Sequence, residues 1–168
     1  AFGLVAAHLP LGVAPHGHHR AVGHHLADLV GVLGGGGTPH LQGSGIVGDV
    51  EGDGDPLDIC ILTEKDVTHG DIIAKARPIG GLRLLDHNQA DDKIIAVLKN
   101  DAVYGAMTDI EQVPSDIIRR LIHYFSTYKD IPGEHTSRMQ FISIYGPEVA
   151  KDVIVRAMED YDDYIAKK

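Results

Sequence analysis

The chain has 168 residues, 43% hydrophobic and 23% charged, which suits one soluble domain able to bury its own core. A formal net charge of -9 argues against a nucleic-acid partner, whose phosphates need a basic face. The one cysteine, Cys60, permits no internal disulfide and fits a reducing cytoplasm, and no apolar stretch approaches the roughly 20 residues that span a bilayer.

The composition breaks near residue 50. Residues 1–50 hold 12 of the 20 glycines and 7 of the 11 histidines but no lysine or glutamate, so no strand or helix pattern persists there. Residues 21–33 alone predict a short apolar helix. Residues 1–7 are apolar but lack a basic flank and soon meet His8 and Pro10, which makes a poor signal peptide. His16, His18, His19, His24 and His25 offer ligands to a soft metal such as Zn2+ or Ni2+; the plainer alternative is a Gly/His tract without a defined site.

Residues 53 to 58 read Asp53-Gly54-Asp55-Pro56-Leu57-Asp58. Three carboxylates so close repel one another unless a cation sits among them. The apolar run that follows predicts a buried strand over 57–63, so the cluster opens a structural element, and hard oxygens at a strand mouth suit Mg2+ chemistry on phosphates. A calcium loop starting at Asp53 is excluded, because its fifth position is Leu57, its glycine position is Asp58, and flanking helices are missing. An Asp-rich surface turn around Pro56 is the bland alternative.

Further strands are predicted over 72–77, 79–85 and 93–99, with turns at His69-Gly70-Asp71 and Asp86-His87-Asn88-Gln89. Asp86 and Asp91 bracket the second turn and Lys93 follows it. Taken alone this is a polar hairpin; joined to the first cluster it gathers five carboxylates at one end of a barrel. Ile117, Ile118, Leu121, Ile122, Phe125 and Tyr128 recur at helical spacing over 115–129, with Pro114 and Ser115 at the start and Ile131-Pro132-Gly133 as the stop. At its end Tyr128-Lys129 either complements the helix C-terminus or presents a phenol and a cation to a phosphate. Residues 139–145 alternate as a strand, and 147–168 carry Val149, Val153, Ile154, Ala157, Tyr161 and Tyr164 on one helical face. The expected fold is α+β and mainly β: a small closed, OB-like β-barrel flanked by two helices, in a single domain over 1–168.

From Glu51 to Lys129 the chain resembles the soluble family I inorganic pyrophosphatases. The family signature Asp-x-Asp-Pro-x-Asp stands as Asp53 to Asp58, followed by Arg77-Pro78-Ile79-Gly80, by Asp86, Asp91 and Lys93 at matching separations, and by His123-Tyr124-Phe125 and Tyr128-Lys129-Asp130. The resemblance covers residues 51–168 and weakens after 135; the family's Gly-Trp near the last strand is absent, with Tyr145-Gly146 nearby. It implies hydrolysis of pyrophosphate to two phosphates, assisted by several Mg2+ ions. By the same likeness Asp53, Asp58, Asp86 and Asp91 ligate metal, Asp55 is the acid/base group beside the nucleophilic water, and Lys93, Tyr128 and Lys129 grip phosphate oxygens. A homo-oligomer, commonly a hexamer in bacteria and a dimer in eukaryotes, with the hexamer favoured, is implied as well, while composition gives the cytoplasm and no nucleic-acid or membrane partner.

Residues 1–50 depart from that family, which there supplies a lysine, an arginine, a tyrosine and a glutamate to the site. No lysine or glutamate precedes Glu51, no tyrosine precedes Tyr104, and Arg20 lies among histidines. Familiar length with foreign composition raises the hypothesis that this segment is read in a shifted frame; peptides matching residues 1–50 as written overturn it. If the segment is genuine, the competing function is a catalytically impaired homologue that binds metal or phosphate or serves as an oligomer subunit. Hydrolysis of a nucleotide or another phosphoanhydride is a third reading.

Overall fold

The computed structural model describes residues 3–8, 29–33, 57–65, 72–131, 133 and 138–166, with backbone alone for 3–8, 29–33, 72–74 and 161–165. The strands are β1 (Gly3–His8), β2 (Leu29–Leu33), β3 (Asp58–Thr63), β4 (Ile72–Asp86), β5 (Gln89–Ala90), β6 (Lys93–Leu98) and β7 (Met139–Tyr145). The helices are α1 (Ser115–Thr127) and α2 (Pro147–Ala166), with a short 3-10 turn at Ile110–Gln112. Two expectations are corrected here. Residues 1–50 do contain strands, and the part of the expected 21–33 helix that is described, Leu29–Leu33, is β2, antiparallel to β4. Its run Leu-Val-Gly-Val-Leu is short and β-branched, and pairing partners decide such an ambiguous apolar segment.

β4 is also one strand of 15 residues, not two. Pro78 was expected to divide it, but the ladder to β6 shifts register between Pro78 and Gly80, and this bulge absorbs the missing N–H. Gly80 sits at φ 156, where a Cβ would meet the Tyr145 carbonyl and the Ile110 side chain. The long bent β4 therefore pairs with β2 and β6 at its start and with β7 and β5 at its end.

Strand order runs β2-β1-β3-β6-β4-β5, with β7 on β4 and a further β2–β4 pairing. The sheet is OB-like but not closed as expected: among the described residues β1 and β2 pair at His8↔Val32 alone. β3 and β6 are parallel, with Asp58 opposite Lys93.

Alternation along the strands divides the interior in two. Cys60, Leu62, Leu82, Leu84, Ile95 and Val97 face one cluster, completed by Ile117, Ile118, Leu121 and Phe125 of α1. Ile59, Ile61, Ile94 and Ala96 face the other, completed by Tyr145 and by Ala150, Val153 and Ile154 of α2. A sheet covered on both faces explains why β3 and β6 read as unbroken apolar runs. Burial, with the Asp58 carboxylate next, pushes the Cys60 thiol in this interior up to about 12.

The connection after β6 is pinned by polar groups. Asp101 accepts hydrogen bonds from the backbone N–H of Glu64 (2.8 Å), Val103 (2.9 Å) and Tyr104 (2.9 Å), and Arg77 donates to the carbonyls of Gly105 (3.1 Å) and Met107 (3.2 Å). Partial burial raises the Asp101 carboxyl, but the three N–H donors outweigh it and hold the group below its ordinary value. A carboxyl lowered in the folded state adds stability above its unfolded pKa of about 4 and loses it as pH falls through the folded value. Asp101→Ala is therefore expected to cost about 1–3 kcal/mol at neutral pH in denaturant titration, with a smaller difference from wild type below pH ~3. A difference that stays constant from pH 7 to 2 speaks against this role.

Candidate active site

The parallel pairing of β3 and β6 sets an acid and a base side by side, because both strands begin at the same end of the sheet. Asp58 and Lys93 are the first residues of their strands and share the parity of Cys60, Leu62, Ile95 and Val97, so both side chains lie on the α1 face. Asp86 closes β4 with the parity of Leu82 and Leu84, on that same face. The two-residue link His87–Asn88, both at positive φ (49 and 66), has the left-handed geometry of tight hairpins and returns the chain to β5 and Asp91. Asp58, Asp86 and Asp91 thus meet at one end of the sheet.

Lysines stand between them. Lys93 Nζ lies 2.5 Å from both Asp58 Oδ2 and Asp91 Oδ1, and Lys129 Nζ lies 2.6 Å from Asp86 Oδ2 and 3.5 Å from Asp91 Oδ2. The resulting order is Asp58, Lys93, Asp91, Lys129, Asp86, opposite charges alternating throughout. Lys93 is only 1% exposed; burial alone lowers an ammonium pKa, but Asp58 and Asp91 overcome that and hold it above the ordinary lysine value. Lys129, just past the end of α1, is likewise penalised by burial and raised on balance, chiefly by its bond to Asp86. Burial raises the Asp86 carboxyl, yet Lys129, with Arg138 and His87 adding to it, brings it below the usual carboxylate range. His87 Nδ1 lies 2.8 Å and Arg138 Nε 3.9 Å from Asp86 Oδ1.

Tyr128 caps the C-terminus of α1. It is half-exposed, its ring stacked on Tyr124 (centroids 5.5 Å apart, 19° between planes) and set edge-on to the buried Phe125 at 6.0 Å. The helical i, i+4 spacing brings Tyr124 under Tyr128, and Lys129 Nζ lies 5.5 Å from the Tyr128 ring centre. The phenol and two ammonium groups thus stand near three carboxylates.

Six of the eight site residues expected from sequence are brought together in this way: Asp58, Asp86, Asp91, Lys93, Tyr128 and Lys129. Asp53 and Asp55 lie outside the described residues. Among the described residues no three Asp, Glu, His or Cys side chains are grouped to hold one metal ion, since the lysines occupy the space between the carboxylates. The donor set nevertheless fits a hard divalent cation. It is carboxylate oxygen throughout, and Asp86 Oδ1 and Asp91 Oδ2 are buried without a hydrogen bond, reached by ion-pair contacts only. Sequence reasoning missed Asp92, whose side chain turns to the opposite face; the Asp91-Asp92 pair leading into β6, read with strand alternation, carried that signal.

Replacing Lys93 by Met removes the cation that Asp58 and Asp91 share. In metal-free protein this is expected to cost about 2–4 kcal/mol, read from the denaturant midpoint, because it leaves the buried Asp91 carboxylate facing the partly exposed Asp58 without a cation. Mg2+ is expected to raise the melting temperature of this variant more than that of wild type; equal shifts count against a cation-demanding site.

A profile of the inorganic pyrophosphatase family matches residues 36–162. The chain is 51% identical over 117 residues to the inorganic pyrophosphatase of Chlamydia muridarum, an alignment covering 67% of the chain and 56% of that relative. It is 38% identical over 115 residues to that of Nanoarchaeum equitans, covering 67% and 69%. The chain spans little more than half the length of the chlamydial relatives it matches. Among solved structures, the inorganic pyrophosphatase of Neisseria gonorrhoeae superposes with a TM-score of 0.59 at 31% identity, covering 67% of this chain and 64% of that one. That of Helicobacter pylori gives 0.60 at 27%, covering 81% and 72%.

Proposed function

The chain belongs to the inorganic pyrophosphatase family, and from that premise we propose that it hydrolyses pyrophosphate to two phosphates with Mg2+ as cofactor. The observation that carries this reading is the alternation of Asp58, Lys93, Asp91, Lys129 and Asp86 at one end of the sheet, which offers hard oxygens to cations and ammonium groups to a polyanion in one place. Mg2+ held by Asp53, Asp58, Asp86 and Asp91 supplies charge neutralisation of the substrate and acidification of water.

The chain's own groups do the rest. With the carboxylates engaged by cations, Lys93 and Lys129 would donate hydrogen bonds to phosphate oxygens and stabilise charge on the leaving group. An ammonium group with an ordinary lysine pKa of about 10 is charged at neutral pH, and phosphate oxygens favour that form further. Tyr128, propped by Tyr124 and Phe125, donates its phenolic O–H beside Lys129. Asp55 takes the proton of the attacking water.

Purified protein is expected to release phosphate from pyrophosphate with Mg2+, to lose this activity in EDTA and to regain it on Mg2+ addition. Asp55→Asn is expected to lower kcat about 10²–10⁴-fold. Binding of Mg2+ and pyrophosphate without turnover, or faster hydrolysis of nucleoside triphosphates, overturns the assignment.

We also propose a cytoplasmic homo-oligomer, with a hexamer favoured. Among the described residues no helix is long and apolar enough to cross a membrane. Ile142 and Ile144, 44% and 45% exposed on β7, support an interface. Light scattering is expected to give a mass of several chains; a monomeric mass at working concentration removes the proposal.

A further inference from the structure

On the face of the sheet opposite the carboxylate–lysine row, Asp92 turns away from its neighbours Asp91 and Lys93. It shares the parity of Ile94 and Ala96 and lies under the α2 cluster, its side chain 3% exposed. Arg83, of opposite parity to Leu82 and Leu84, brings Nε to 3.7 Å from Asp92 Oδ1. Its guanidinium stands 5.4 Å from the ring centre of Tyr145, the last residue of β7. Tyr145 pairs with Gly81 across the ladder, and a Cβ on Gly81 would overlap the Tyr145 ring at Cε2, Cζ and Oη. Glycine at that position lets the ring lie against the backbone with its phenol facing Asp92.

This cluster is poorly explained by stability. Arg83 Nε, both Asp92 oxygens and the Tyr145 hydroxyl are buried without a well-formed hydrogen bond. Imperfectly paired polar groups gain little from burial, and an apolar filling of the same space is commonly as stable or more so. What the cluster does accomplish is geometric. The peptide from Asp91 to Lys93 is held from one face by Arg83 and Tyr145 through Asp92, and from the other by Lys129 and Asp58 through Asp91 and Lys93. Backbone rotation at 91–93 would swing a metal ligand and a phosphate-binding lysine together.

We propose that Asp92, Arg83 and Tyr145, seated on Gly81, form a positioning cluster that fixes Asp91 for its divalent cation and Lys93 for phosphate. The proposal rests on the reading of the opposite face as a Mg2+-dependent pyrophosphatase site. None of the three touches substrate; they act through the 91–93 peptide.

The test is titration calorimetry of the intact chain with MgCl2 in the absence of substrate, with melting of the metal-free protein and turnover alongside. Tyr145→Phe changes no charge and is expected to weaken Mg2+ binding about 10-fold, as loss of support behind a metal ligand does, with little change in metal-free melting temperature. Its turnover falls at limiting Mg2+ and recovers at saturating Mg2+. Arg83→Lys, which keeps the charge but removes Nε, is the second variant should the first not fold, and is expected to act in the same direction. Unchanged Mg2+ affinity in both, with turnover intact, overturns the positioning role alone. So does weakening confined to Asp92→Asn, which loss of one negative charge explains. If wild type binds no Mg2+, both the cluster's role and the pyrophosphatase reading fall.

Discussion

A buried ammonium group at the start of β6 is the constraint on which the site depends. Lys93 is enclosed between a sheet and the ring of Phe125, 5.9 Å from its Nζ, where an unpaired charge is not tolerable. It survives there because the parallel register of β3 and β6 delivers Asp58 beside it and the His87–Asn88 turn delivers Asp91. An antiparallel arrangement would have sent Asp58 to the far end of the sheet. Topology, side-chain parity and charge therefore specify one another at this point: shifting β6 by one residue would move Lys93 to the α2 face and Asp92 into the site.

The two faces of the sheet divide the labour. On the α1 side, three carboxylates alternate with two lysines, and α1 contributes Tyr128 and Lys129 at the end where its dipole favours a cation. On the α2 side, the described interior is mainly apolar, with a polar group around Asp92. Phe125 links core to chemistry, since it packs with Leu121 and Ile118 while its edge meets Tyr128.

The central strands, both helices and the acidic row were legible because each obeys a short-range rule. Alternate-face burial explains the apolar runs of β3 and β6, and helical spacing marks Ile117, Ile118, Leu121 and Phe125. Asp58, Asp86, Asp91, Lys93, Tyr128 and Lys129 were found through a family resemblance carried by their spacing. What was not legible depends on partners distant in sequence. β2 forms because β4 offers it an edge, while a Gly-rich composition says nothing of that edge. The unity of β4 depends on a bulge at Pro78, where a local rule predicts an interruption. Arg83 lies within β4, Asp92 just before β6 and Tyr145 at the end of β7, and no short window of sequence contains them all. Asp53 and Asp55, the most telling residues in the sequence, lie outside the described residues.

Cys60 has a consequence of a different kind. It is the only sulfhydryl of the 168 residues, it sits mid-strand in β3 between the parallel neighbour β6 and the N-terminal β1, and it is 3% exposed with an acidity suppressed to about 12. An alkylating reagent meets a thiolate there only after the core beneath α1 has opened. The molecule thus carries a native chronometer: the rate at which it consumes such a reagent counts openings of the same core that encloses Lys93 against Phe125.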